Sequence, residues 1–240
     1  MSITVKPVTP DFVAEISGLD LAQPLAPADR DVVEATINRY AIVVFHDQKL
    51  TDEQQIDFAR CFGLLAAPAQ KARHTGIKHR IAGNDIADIS NLDGAERGVG
   101  VPQPVGQPVE PMIAEHSIWH SRGQLAVTMY TEEELKSLPP VPQRVVRRHP
   151  GSHRKTLYLA AHASHILGMP VADGRLLLMD LIEHATQRRF VHSHTWKQGD
   201  LVIWDNRCTM HRARPFDTTK VRDLRRVTTR DVASTLEQAA

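Results

Sequence analysis

A mainly β fold with flanking helices is the class that this sequence predicts, and three observations carry the prediction. Short apolar runs are closed off by Pro, Gly, Asp and Asn; helix start and stop signals fall at a few places between them; and no internal repeat is present. A chain of 240 residues suits one domain, because β barrels and sandwiches commonly run to roughly 200–250 residues. The expectation is a single domain over 1–240, with an atypical segment rich in Gly, Pro and Val at 94–111.

Residues 3–8 and 12–16 read as short strands. After Ala26-Pro27 the chain turns helical as far as Arg39, with Val32, Val33, Ala35 and Ile37 apolar and charges on the other side. Residues 40–45, Tyr-Ala-Ile-Val-Val-Phe, are almost unbroken in apolar character, which marks a buried strand. Thr51-x-x-Gln54 is a capping box, in which a hydroxyl and an amide satisfy each other's backbone N–H groups. The helix that it opens has Phe58, Cys61 and Phe62 as its inner face, and Gly63 suits its end. Thr131-x-x-Glu134 repeats the signal before Pro139-Pro140 stops it. A further helix spans 173–185, where Leu176, Leu177, Met179, Leu181 and Ile182 are too apolar to be exposed. Further strands are expected at 145–149, 156–160, 190–196, 201–204 and 222–229.

Composition narrows the function classes. The net charge is +1, which argues against a nucleic-acid surface spread over the whole chain, although 222–230 is locally basic. Cys61 and Cys208 show no CxxC or zinc spacing, so no disulfide framework is expected and a reducing cytoplasm fits. No run approaches the roughly 18 apolar residues of a membrane span, and the N-terminal MSITVKPVTP lacks a basic-then-apolar leader pattern. The expectation is a cytoplasmic protein with a small-molecule partner and no membrane contact.

The chemistry concentrates near the C-terminus. The apolar run Leu201-Val202-Ile203-Trp204 delivers the chain to Asp205-Asn206, a turn signal, with His211 just beyond, where a rigid strand can hold an imidazole against a metal. Arg222 and Arg226 follow, four apart, and even spacing on a strand puts both on one face, ready to meet carboxylates with paired donors. This stretch resembles the iron(II)- and 2-oxoglutarate-dependent dioxygenases related to taurine and 2,4-dichlorophenoxyacetate dioxygenase. The resemblance extends through Glu115-His116-Ser117 with Ser121-Arg122, through 157–165 and 181–188, and through Gly199 to Arg207. Nearer the N-terminus it takes in 40–46, 58–63 and Asp88-Ile89-Ser90-Asn91-Leu92-Asp93.

One part of the family pattern is absent. Members carry, after the Ile-Ser-Asn block, a Trp-His-Thr/Ser-Asp motif that supplies a histidine and the carboxylate of the metal triad, then a Gly-Gly-x-Thr segment for 2-oxoglutarate. Here 94–111 runs GAERGVGVPQPVGQPVEP, without a histidine. Trp119-His120-Ser121-Arg122 mimics the motif with Arg in place of Asp, but its flanks belong to a later family block, so His120 is not read as the displaced ligand. No histidine in the chain has Asp or Glu two positions on.

The resemblance implies an incomplete double-stranded β-helix, or jelly roll, with iron(II) and 2-oxoglutarate as cofactors. It implies hydroxylation of a small acidic substrate, a sulfonate or an aryloxy- or alkyl-carboxylate, with release of succinate and CO2. By position His211 is a metal ligand, Arg222 pairs with the distal carboxylate of 2-oxoglutarate, and Arg226 meets an acidic group on the substrate. His149 and His162 either line the substrate pocket or are satisfied core or surface histidines. His192 and His194, on one face of the expected strand 190–196, form a metal pair only if further donors exist. Trp204 reads as core. Three readings stay open: an oxygenase, a non-catalytic acid-binding or interaction protein on the same fold, and a damaged gene product whose codons 94 to 112 would restore the motif in another frame. Strand edges left by the absent segment would favour association, and a homo-oligomer is among the expected partners.

Overall fold

A computed structural model describes residues 2–66, 108–124, 131–212, 217, 219 and 223–238. Arg222, the block 88–93 and the 94–107 part of the Gly/Pro/Val stretch lie outside the described residues. The chain divides into two compact units, one made of Met1–Asp93, His192–Asp205 and His211–Asp231, the other of Gly94–Val191, Asn206–Met210 and Val232–Ala240.

The first unit is built on a four-stranded sheet in the order β1 (Thr4–Pro7), β2 (Val13–Ser17), β3 (Ile42–Phe45), β9 (Leu201–Trp204). β2 and β3 run parallel, and the connection between them carries α1 (Pro27–Tyr40), as parallel pairing requires a crossover. β3 is buried along its whole length. Its alternate residues divide between two clusters, Val43 and Phe45 with Ile16, Leu21, Val33 and Phe58, and Ile42 and Val44 with Phe12 and Val13. Four apolar residues in a row are thus explained by a strand with cover on both faces. The helix face of α1 differs from expectation: Val33 and Thr36 are buried with Ile37 packed behind, whereas Val32 and Ala35 face water. α2 (Asp52–Arg60) opens with the anticipated capping box, Thr51 Oγ1 accepting from Gln54 N–H at 3.2 Å and Gln54 Oε1 from Thr51 N–H at 2.9 Å.

The second unit holds a three-stranded antiparallel sheet, β5 (Val141–Arg144), β4 (Ile113–His116), β8 (Ala163–Ile166), and a hairpin of β6 (Val146–Arg148) with β7 (Lys155–Leu157). α3 (Ile118–Gly123) and α4 (Glu132–Ser137) are short, and α5 (Val171–Ala185) packs on β8. Gly174 permits that packing, since a Cβ there would sit 2.8 Å from Ile166 N. Val109, near the end of the Gly/Pro/Val stretch, is only 2% exposed and joins this core.

Four expectations need correction. Residues 190–196 are not a strand: a 3-10 turn, Arg188–Phe190, ends there and the chain continues unpaired by any ladder. The described part of 222–229 makes only isolated bridging, Leu65 with Thr229, supported by Ala66 N–H to Thr228 O at 2.8 Å. β4, β5, β8 and α3 were not anticipated; in β4 and β8, Ile-Ala-Glu-His and Ala-Ser-His-Ile, only one residue in four favours a strand. Finally, Leu176 and Met179 are exposed, since the inward phase of α5 runs through Leu177, Leu178, Leu181 and Ala185. Sheets with flanking helices are present as expected, and no helix among the described residues is long and apolar enough to cross a membrane.

Candidate functional site

β9 pairs antiparallel with β3, Ile42 opposite Trp204, and Asp205 N–H continues the ladder to Ala41 O at 2.9 Å. The chain turns at 206–208 and reaches His211, which is half-buried with its ring centroid 5.1 Å from that of Trp204 at 59°. His211 therefore lies beyond a turn and not on a strand. Trp204 packs against the cluster of Phe12, Val13, Ile42 and Val44, as a core residue does. Arg226, in the same unit, is half-buried, and its Nε is buried with no hydrogen-bond partner. Burial pulls its pKa below the ordinary arginine value.

A more complete constellation, which the sequence did not reveal, lies at the entry to β9. The Asp200 side chain is fully buried. His46 Nδ1 lies 2.6 Å from its Oδ1, His194 Nε2 lies 3.0 Å from its Oδ2, and Lys197 N–H donates to Oδ2 at 2.8 Å. His46 Nε2 reaches Glu15 at 3.4 Å, and Lys6 approaches Glu15 at 3.5 Å. The bond to Asp200 raises the His46 pKa above its ordinary value; burial opposes this, and Glu15 adds to it. For Asp200, burial acts to raise the pKa, but Lys197 N–H, His46 and His194 outweigh it and the carboxyl ends below its ordinary value. His192 stands 6.5 Å from His194, ring to ring, and burial followed by repulsion from His194 lowers its pKa. His192 and His194 are thus neighbours without a shared strand, and His194 is committed to Asp200.

His149 and His162 belong to the second unit, where they follow β6 and precede β8, in different sheets. His149 is 1% exposed and its Nδ1 accepts from Ser152 N–H at 3.0 Å, closing the turn between β6 and β7. His162 Nδ1 is 2.8 Å from Ser121 Oγ; partial desolvation and then the charge of Arg122 lower its pKa. His116 stacks on Tyr158, centroids 5.6 Å apart, and burial with repulsion from His162 pushes its pKa down to about 4. Trp119 and His120 sit on α3, where Trp119 Nε1–H donates to Leu138 O at 3.0 Å.

A non-haem iron(II) centre of the facial type takes two histidines and one carboxylate on one side of the metal. Among the described residues, no trio of His, Cys, Asp or Glu donors within 4.8 Å of one another includes His211. The full sequence offers no histidine with Asp or Glu two positions on. The described residues do not bring such a set together around His211.

The family model "Taurine catabolism dioxygenase TauD, TfdA family" matches residues 4–98 and 101–228, and the break between the two stretches falls inside the Gly/Pro/Val segment. The alpha-ketoglutarate-dependent 2,4-dichlorophenoxyacetate dioxygenase of Burkholderia sp. (strain RASC) is 37% identical, with 95% of each chain covered. That alignment runs over 283 residues against the 240 of this chain, which leaves at least 43 aligned positions of the relative without a counterpart. The (S)-phenoxypropionate/alpha-ketoglutarate dioxygenase of Sphingobium herbicidovorans is 32% identical, with 91% of each covered. Among solved structures, AAD-2 in complex with Mn(II) and N-oxalylglycine superposes with a TM-score of 0.82 at 40% identity, covering 98% of this chain and 100% of that one. A family match over nearly the whole length, together with relatives above 30% identity, establishes that the chain belongs to the TauD/TfdA dioxygenase family.

Proposed function

We propose that this chain is a TauD/TfdA protein of the jelly-roll type whose site is shaped for small organic acids and which, as it stands, does not complete an iron centre. Its lineage reaction is the 2-oxoglutarate-dependent hydroxylation of an aryloxy- or alkyl-carboxylate, or of a sulfonate. The observation that carries the negative half is the donor set: His211 is present, whereas neither the second histidine nor the carboxylate exists at motif spacing anywhere in 240 residues. A lone imidazole gives iron(II) neither charge compensation nor fixed geometry. The interrupted family match and the unmatched positions of the Burkholderia relative support the same reading.

The positive half rests on Arg226. A half-buried guanidinium whose Nε has no partner is an unfinished ion pair, and a carboxylate or sulfonate completes it with paired, charge-assisted hydrogen bonds. Arg222, four residues earlier, is assigned to the distal carboxylate of 2-oxoglutarate by family position. His211 remains in the metal-ligand place by descent, and His149 and His162 are the remaining candidates for contact with substrate. Each such contact is worth roughly 1.5–3 kcal/mol, so binding of a single acid without metal falls in the millimolar range, of order 4 kcal/mol.

Calorimetric titration of the metal-free protein with 2-oxoglutarate and, separately, with phenoxyacetate tests this. We expect saturable weak binding that drops about tenfold or more in Arg226→Ala, with the variant's melting temperature unchanged. Absence of binding to the folded wild type would remove the acid-binding reading.

A further inference from the structure

Arg226 hangs from a segment that α2 and the residues after it hold at two points, all within the first unit. Upstream, Gln55 Nε2–H donates to Arg225 O at 3.2 Å. That carbonyl belongs to the same planar peptide group as the nitrogen and Cα of Arg226, so the bond fixes the base from which the Arg226 side chain projects. The Arg225 guanidinium pairs with Asp52 in the first turn of α2, and its Nη2 lies 3.5 Å from Asp223 Oδ2. Downstream, Ala66 N–H donates to Thr228 O at 2.8 Å and Arg230 N–H donates to Leu64 O at 2.7 Å, on either side of the bridge between Leu65 and Thr229.

Arg226 lies between these two anchors, and its Nε is buried without a partner among the described residues. The ion pair of the upstream anchor adds little to folding, because the Asp52 and Arg225 side chains are 31% and 38% exposed. A guanidinium gains more from being held, since a charged fork already set in one orientation loses less freedom when a carboxylate docks on it. α2 is a firm base for such a hold, because Thr51 and Gln54 cap its first turn.

We propose that Asp52 and Gln55 are positioning residues, through which α2 holds Arg226 in the orientation that receives an organic acid. This role rests on the acid-binding reading of Arg226, and it reaches the acid only through Arg225 and Arg226.

Two readouts on the metal-free protein separate the hold from the binding it serves. The first is the exchange with water of the Arg226 Nε–H, followed in proton–nitrogen correlation spectra and identified by its loss in Arg226→Lys. Asp52→Ala and Gln55→Met are expected to speed that exchange about threefold or more. The second is calorimetric affinity for 2-oxoglutarate and for phenoxyacetate, expected to fall about threefold to tenfold in each variant, the cost of ordering one long side chain on binding. Asp52→Glu, which keeps the pair with Arg225, is expected to behave as wild type in both readouts, and the melting temperatures of all three variants are expected to match wild type. Unchanged Nε–H exchange alongside normal acid binding by the wild type would overturn the proposal alone. Wild-type affinity in variants whose exchange has risen, or an equal loss of affinity in Asp52→Glu, would overturn it too. Absence of acid binding by the wild type would overturn the reading on which the proposal rests, and the proposal with it.

Discussion

Two histidine-bearing stretches sit at either end of β9, and they differ in what surrounds the imidazoles. At the entry, His46 and His194 share the buried Asp200 carboxylate, whose second oxygen also takes Lys197 N–H. At the exit, His211 rests beside Trp204 and belongs to no trio of donors able to hold an ion. The first is a finished electrostatic cluster, the second one member of a set. At the entry the backbone brings a carboxylate to the histidines; for His211 the proposed reading is that the family's His-x-Asp motif has no counterpart at that spacing in the sequence.

The contrast can be tested first by deleting the shared acceptor. Asp200→Ala strands three donors, and breaking a buried charged cluster by removing one partner costs roughly 3–5 kcal/mol; urea unfolding measures it. A loss below about 1 kcal/mol would place the cluster among surface pairs, which contribute little, and the comparison would collapse.

The next expected effect is in pH. His46 has its folded pKa raised above 6.5, so its contribution is complete below pH 6.5 and is lost as the pH rises through the raised value. Asp200 has its folded pKa below 3.8, so its contribution is present above 3.8 and disappears as the pH falls through the lowered value. The His46 share of stability is therefore expected to decline as the pH rises above 6.5 through its raised value, whereas His116, His162 and His192, whose folded values are lowered, withdraw theirs as the pH falls below 6.5. A melting series should show this decline in wild type and a flatter profile in His46→Gln. Equal slopes in both would mean that the decline arises elsewhere.

The smallest effect is expected at the other end of β9. On the proposed reading, in which no iron is held there, His211→Ala should change stability by no more than about 1 kcal/mol and leave acid binding intact. A large loss of stability on removing His211 would show that it, too, is structurally committed.

The sequence disclosed whatever is local. β3 was readable from its unbroken apolar run, α2 from Thr51 and Gln54, and the His211 block from the order of its residues. What escaped depends on partners far away in the chain. His46 and Asp200 are 154 residues apart, and no spacing rule links them. β4 and β8 each hold one Ile among Ala, Glu, His and Ser, and they form strands through pairing, β4 with both β5 and β8. Residues 190–196 were expected to form a strand, but the chain there brings His194 and Lys197 N–H to Asp200. On α5 the apolar content was clear while its phase was not, and Leu176 and Met179 were assigned inward on composition alone.

The central claim is that this dioxygenase-family chain lacks a working iron centre. The most direct measurement is an anaerobic titration of the folded protein with iron(II) and 2-oxoglutarate, followed by visible absorption for the charge-transfer band of the chelated complex. The account predicts no saturable band. A saturable band that disappears in His211→Ala and weakens in Arg222→Ala would contradict it and would mean that other residues supply the missing donors.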